Sequence, residues 1–75
     1  MKISYDAKAD ALYIELRPVA RGMATCRDLA DDIIADYDPD GRLAGIEILD
    51  ASVVLGDATR HLSIEVAPAP TAKTA

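Results

Sequence analysis

Apolar and polar residues alternate with a period of two through most of the chain. In ALYIELR (11–17) Leu12, Ile14 and Leu16 fall on one side and Tyr13, Glu15 and Arg17 on the other, the pattern of a half-buried strand. KISY before it sets Ile3 and Tyr5 two apart, and the polar DAKAD between the runs is long enough only for a turn, so the two runs predict a hairpin. Pro18 closes the second run because it has no N–H for a ladder, and the chain to Gly22 reads as loop. MATCRDL (23–29) has Thr25 and Cys26 in its favour but no clean period, which predicts a short edge strand.

DIIADY (32–37) and RLAGIEIL (42–49) are two further runs rich in β-branched residues, and they flank DPDG. Asp36, Asp38, Asp40, Gly41 and Glu47 stand at the offsets of a calcium-binding EF-hand loop. Such a loop needs a helix on each side to bring a bidentate Glu onto the ion. Glu47 instead alternates between Ile46 and Ile48, which is strand spacing. DPDG is also complete as a turn: Pro39 presets φ, Asp38 bonds backbone two residues on, and Gly41 takes the left-handed conformation of a bulge. The expected hairpin pairs Asp38 with Arg42, Tyr37 with Leu43 and Ile34 with Ile46. It would show Ile34, Ile46 and Ile48 on one face and offer Ile33, Tyr37 and Leu43 to the other.

DASVVLG follows, with Asp50 or Ser52 as N-cap and Gly56 as stop, enough for one or two helical turns. HLSIEV (61–66) alternates again and reads as a last strand, and APAPTAKTA beyond it has little to bury. The fold class expected is α+β, mostly antiparallel β: a meander or hairpin sheet of about five to six short strands, with one short helix after the central hairpin. One domain is expected over 1–67, with 68–75 a disordered Pro/Ala-rich tail.

Composition narrows the means of stabilising such a sheet. Seventy-five residues lie near the size at which one core needs help from a disulfide, a metal or assembly. Cys26 is the sole cysteine and His61 the sole histidine, so neither an internal disulfide nor a four-ligand zinc site can form in one chain. There is no Phe or Trp, and the core must be aliphatic with three tyrosines. Assembly remains, and a homodimer is expected. No run approaches a membrane span and no leader is evident at the start, which predicts a soluble cytoplasmic protein with no membrane partner. The formal charge of −5 disfavours nucleic acid as a partner. Asp28, Asp31, Asp32, Asp36, Asp38 and Asp40 follow one another without an intervening Lys or Arg. They are either a solvated face with turn residues or a docking surface for a basic partner protein.

MKISYDAKADALYIEL followed by DIIADYDPDGRLAGIEILDAS resembles the bacterial family of domain of unknown function 2283. Over roughly residues 1–55, Tyr5, Asp6, Asp10, Tyr13, Ile14, Asp36, Gly41, Gly45, Glu47 and Asp50 fall at its motif positions. The resemblance implies a small β-rich domain with a short helix after the central hairpin, and for some members a role as antitoxin-like partners of small toxin proteins. It carries over no activity and no catalytic residues. Asp31 stands where the family commonly has glycine.

Cys26 and His61 lack the orienting group and oxyanion donor that a thiol nucleophile needs, and the acid pairs Asp36 with Glu47 and Asp6 with Asp10 are residues that turns use anyway. No catalytic, cofactor-binding or metal-ligating residue is therefore assigned, and no cofactor is implied. The reading leans away from an enzyme. The first expectation is a homodimeric protein-interaction module, an antitoxin-like or regulatory partner of a basic protein. The alternatives are a DNA-binding autoregulator, or a small ligand-binding protein or enzyme with an unrecognised site.

Overall fold

A computed structural model describes residues 1–56 and 60–69. Five strands and one short helix follow one another: β1 (Lys2–Asp6), β2 (Ala11–Glu15), β3 (Thr25–Ala30), β4 (Ile33–Tyr37), β5 (Leu43–Ile48) and α1 (Ala51–Val54). All pairings are antiparallel in one open sheet of order β1-β2-β5-β4-β3. The sheet is thus a β1-β2 hairpin joined to a β3-β4-β5 meander through the pairing of β2 with β5. The chain leaving β2 crosses to the far edge to begin β3, which is the edge strand that Thr25 and Cys26 predict.

The central turn is built as its sequence requires. Asp38 N–H donates to the Arg42 carbonyl at 2.9 Å, Gly41 N–H donates to the Asp38 carbonyl at 2.9 Å, and Gly41 sits at φ 83°. The Asp38 carboxylate accepts the amides of Asp40 and Arg42 through Oδ1 and lies 3.7 Å from the Arg17 guanidinium through Oδ2. Tyr37 pairs with Leu43 as expected.

Beyond that pair the register departs from expectation. Asp36 faces Gly45, so Ala44 is an extra residue, and the shift carries up the hairpin: Ala35 faces Ile46, Ile34 faces Glu47 and Ile33 faces Ile48. Ile34 therefore does not pair with Ile46. A single bulged residue moves every later side chain to the other side of the partner strand. The bulge has a use: the Ala44 carbonyl accepts both Leu16 N–H and Arg17 N–H, at 2.8 and 3.1 Å, tying down the chain as it leaves β2.

The corrected register sorts the faces. Directly opposed residues share a face. Ile3 with Ile14, Tyr5 with Leu12, Leu12 with Ile48, Ile14 with Ile46, and Ile33 with Ile48 form one apolar face across four strands. The other face carries Tyr13, Glu47 and Ile34 in one row and Glu15, Gly45, Asp36 and Cys26 in the next. The central hairpin is apolar on one face only.

The helix is short and held from afar. Its N-cap residue, Asp50, makes no side-chain cap. Instead Asp10, in the β1-β2 turn, accepts Ser52 N–H at 3.0 Å and Ser52 Oγ–H at 2.6 Å through its carboxylate, and Ala51 N–H at 2.9 Å through its carbonyl. Those bonds satisfy amides that a helix start leaves unpaired. A sixth strand over 61–66 is not formed. Residues 61–69 have no regular structure and are exposed. Alternation gives a segment strand preference, but a strand forms only where its amides pair with an edge, and here they make no such pairing. Of the expected tail, residues 70–75 lie outside the described residues.

The interior is thin. Among the described residues, Leu12, Ala35, Ala44 and Ala51 are the buried hydrophobic residues, and no large side chain is fully buried.

Candidate functional site

Two features of the sheet distinguish themselves chemically: hydrogen-bonded nodes on its polar side and end, and the partly covered apolar face. Tyr13, on β2, donates its hydroxyl to Asp36 Oδ2 at 2.9 Å, and Cys26, on β3, donates its thiol to Asp36 Oδ1 at 3.0 Å. The phenol reaches Asp36, two strands away, because Gly45 lies between them. A Cβ at position 45 would overlap the Tyr13 hydroxyl and stand 2.6 Å from Tyr13 Cζ. The glycine is a slot for the ring.

Electrostatics follow from that packing. Burial, then the bond to Asp36, pushes the Tyr13 phenol up to about 12. The Cys26 thiol is raised by its hydrogen bond to Asp36 and then by the charge of that carboxylate. A raised thiol is the reverse of what a nucleophile requires, since the thiolate is the reactive form. The sequence sets Cys26 and His61 apart as an unsupported pair, and the structure gives Cys26 a carboxylate partner instead.

The second node is Tyr5–Asp10–Ser52. Tyr5 donates its hydroxyl to Asp10 Oδ1 at 2.7 Å while Ser52 engages the same carboxylate. Those two donors, Ser52 first, hold the Asp10 carboxyl below the usual range. Asp10 has φ 51°, a left-handed conformation rare outside glycine, and the bonds to α1 and Tyr5 offset its strain. Asp6 does not join this node. It accepts Lys8 and Ala9 amides in its own turn.

Glu47 lies within β5, opposite Tyr13 and Ile34, and Asp38 is engaged with the amides of its turn. The five residue positions that make the EF-hand spacing thus serve a strand, a turn and the Tyr13 node. Among the described residues, hollows accompany the sheet. One of about 340 Å³ is lined by Thr25, Arg27, Tyr37, Asp38, Pro39 and Gly41, with the Arg27 guanidinium 5.6 Å above the Tyr37 ring. Another of about 380 Å³ includes Ser4, Asp6, Tyr13 and Glu47.

The two nodes join residues drawn from both halves of the motif pattern, and the family model for protein of unknown function DUF2283 matches residues 2–52, all five strands and the start of the helix at Ala51 and Ser52. The chain belongs to the DUF2283 family. No curated protein and no solved structure matches it. Within the DUF2283 region, the motif residues Tyr5, Asp10, Tyr13, Asp36 and Gly45 have interlocking structural tasks: two tyrosines donate to two aspartates, and one glycine gives a ring its place. Sequence reasoning identified these positions without finding their partners, because the Tyr13–Asp36 contact spans 23 residues and depends on strand order. Among the described residues, no helix is long and apolar enough to cross a membrane.

Proposed function

We propose that this DUF2283 protein is a homodimeric protein-interaction module in which two sheets pack through their apolar faces and turn their acidic faces outward. The observation that carries this reading is the segregation of the open sheet. Ile3, Tyr5 and Leu16 remain 38–39% exposed, and Ile14, Ile33, Ile46 and Ile48 are only partly covered. An apolar sheet face is stabilised when a second layer covers it, and α1, with four residues at the end of the sheet, is too small to be that layer.

On the opposite face Asp6, Glu15, Asp28, Asp36 and Glu47 occupy strand positions with Lys2 as the one basic strand residue among them. In the dimer that face is the one left to meet another protein, and its charge favours a basic partner and disfavours nucleic acid. An antitoxin-like or regulatory role would use this face.

Sedimentation velocity across a range of concentrations tests the assembly. A species of twice the chain mass at micromolar concentration, with a melting temperature that rises with concentration, is expected. A monomer with a concentration-independent melt overturns the reading.

A further inference from the structure

The outer edge of β1 is unpaired, and so is every residue of the alternating segment 61–66. We propose that β1 is a strand-acceptor edge whose occupant is the same chain's own segment 61–66, added antiparallel with Lys2 opposite Glu65 and Asp6 opposite His61.

Register is the first argument. That alignment sets Ile64 opposite Ile3 and Leu62 opposite Tyr5, extending the apolar face, and Ser63 opposite Ser4 on the polar face. Lys2 meets a residue of complementary charge, Glu65, and Asp6 meets His61, whose ring N–H can donate to a carboxylate. A slip of one residue sends Leu62, Ile64 and Val66 to the polar face, and a slip of two in either direction separates Lys2 from Glu65.

Chain geometry is the second. The chain that leaves α1 starts at the Asp6 end of β1, because Asp10 holds Ala51 and Ser52 there. Arg60 is near enough to the Tyr5 phenol to act on it electrostatically. Segment 61–66 therefore enters beside Asp6 and has only to run back along β1 toward Lys2, which is an antiparallel approach. The opposite edge is a poorer acceptor: β3 carries a register break between Asp28 and Ala30, whereas the β1-β2 ladder is unbroken. Pairing also covers an exposed edge, which otherwise invites edge-to-edge aggregation. It is a contact within one chain and does not depend on dimerisation.

Cysteine cross-linking reads the register. In a Cys26→Ser background, Ser4→Cys with Ser63→Cys places two thiols at directly opposed positions, where the Cα separation of antiparallel pairs suits a disulfide. Mild oxidation of the full chain at high dilution is expected to give an intramolecular disulfide in a chain of unchanged mass class. The same oxidation of Ser4→Cys with Glu65→Cys should be slower. Lys2→Glu should slow closure of the Ser4–Ser63 pair by about two- to fivefold, and adding Glu65→Lys should restore it. Only intermolecular cross-links, equal rates for the two cysteine pairs, or no effect of charge reversal would each overturn the assignment.

Discussion

Tyr13 lies across Gly45, and its hydroxyl bonds Asp36 from a position that any side chain at 45 would invade. The relationship ties β2, β5 and β4 together on the polar face, from the row of Tyr13 and Glu47 to the adjacent row of Gly45 and Asp36.

Gly45→Ala is accordingly expected to lower stability by about 1–3 kcal/mol, the cost of forcing a side chain into filled space. Urea denaturation measures it. The same substitution in a Tyr13→Ala background should cost less than half as much, because the ring that collides with the new methyl is gone. Equal costs in both backgrounds would show that the ring is not the obstacle.

Tyr13 also makes a pH prediction. Its folded-state value is raised from 10.0 to about 12, so the fold favours the neutral phenol. The stability this contributes is fully present below pH 10.0 and is lost as pH rises toward about 12. Tyrosinate absorbance should therefore show one phenol titrating well above the usual range, and Asp36→Asn should bring it down by removing the carboxylate that opposes its ionisation.

Asp36→Asn should act on Cys26 at the same time. With the acceptor's charge removed, the thiol pKa falls toward its ordinary value and the thiolate fraction near neutral pH rises. Alkylation by iodoacetamide at pH 7 to 8 is expected to be faster in the variant than in the parent. A slower or unchanged reaction would mean that the Asp36 carboxylate does not restrain this exposed thiol.

Asp10 behaves in the opposite sense. Its carboxyl is lowered from 3.8 by Ser52 and Tyr5, so its contribution is complete above the unfolded value and is lost as pH falls through the depressed folded one. Asp10→Ala should speed hydrogen exchange at the Ala51 and Ser52 amides at neutral pH, while amides of β4 and β5 keep their protection. If α1 stays protected, Asp10 is not its anchor.

These residues show what the sequence made legible. Alternation at Leu12, Ile14 and Leu16, and the turn chemistry of Asp38, Pro39 and Gly41, are local signals, and the first hairpin, the edge strand, the central turn and the helix position are all where such signals place them. The face assignment of Ile33 and Ile34 was not legible, because it depends on Ala44 being an extra residue opposite Asp36 and Tyr37. A bulge changes no residue type and leaves no period of its own. The Asp10–Ser52 cap is hidden for a similar reason, since it joins positions 42 residues apart. Segment 61–66 shows the converse: its alternation is clear, yet a strand also requires an edge to pair with, which alternation does not provide.

The corrected faces supply the sharpest test of assembly. Ile3 and Ile34 are both isoleucines on strands, but Ile3 belongs to the apolar face through its pairing with Ile14, and Ile34 to the polar face through its pairing with Glu47. Ile3 is 38% exposed on an edge strand, so a charge there is tolerated in the isolated chain. In a dimer that buries this face, Ile3→Glu removes about 1.5–3 kcal/mol of apolar burial from each of two copies. The dissociation constant should then rise by about two to four orders of magnitude. Ile34→Glu, on the outward face beside Glu47, should leave the dissociation constant within about threefold of the parent. Sedimentation equilibrium of the two variants beside the parent gives the comparison, with circular dichroism verifying that each sheet is intact. A dimer that survives Ile3→Glu and dissociates on Ile34→Glu would place the interface on the acidic face, and the pairing of apolar faces would be wrong.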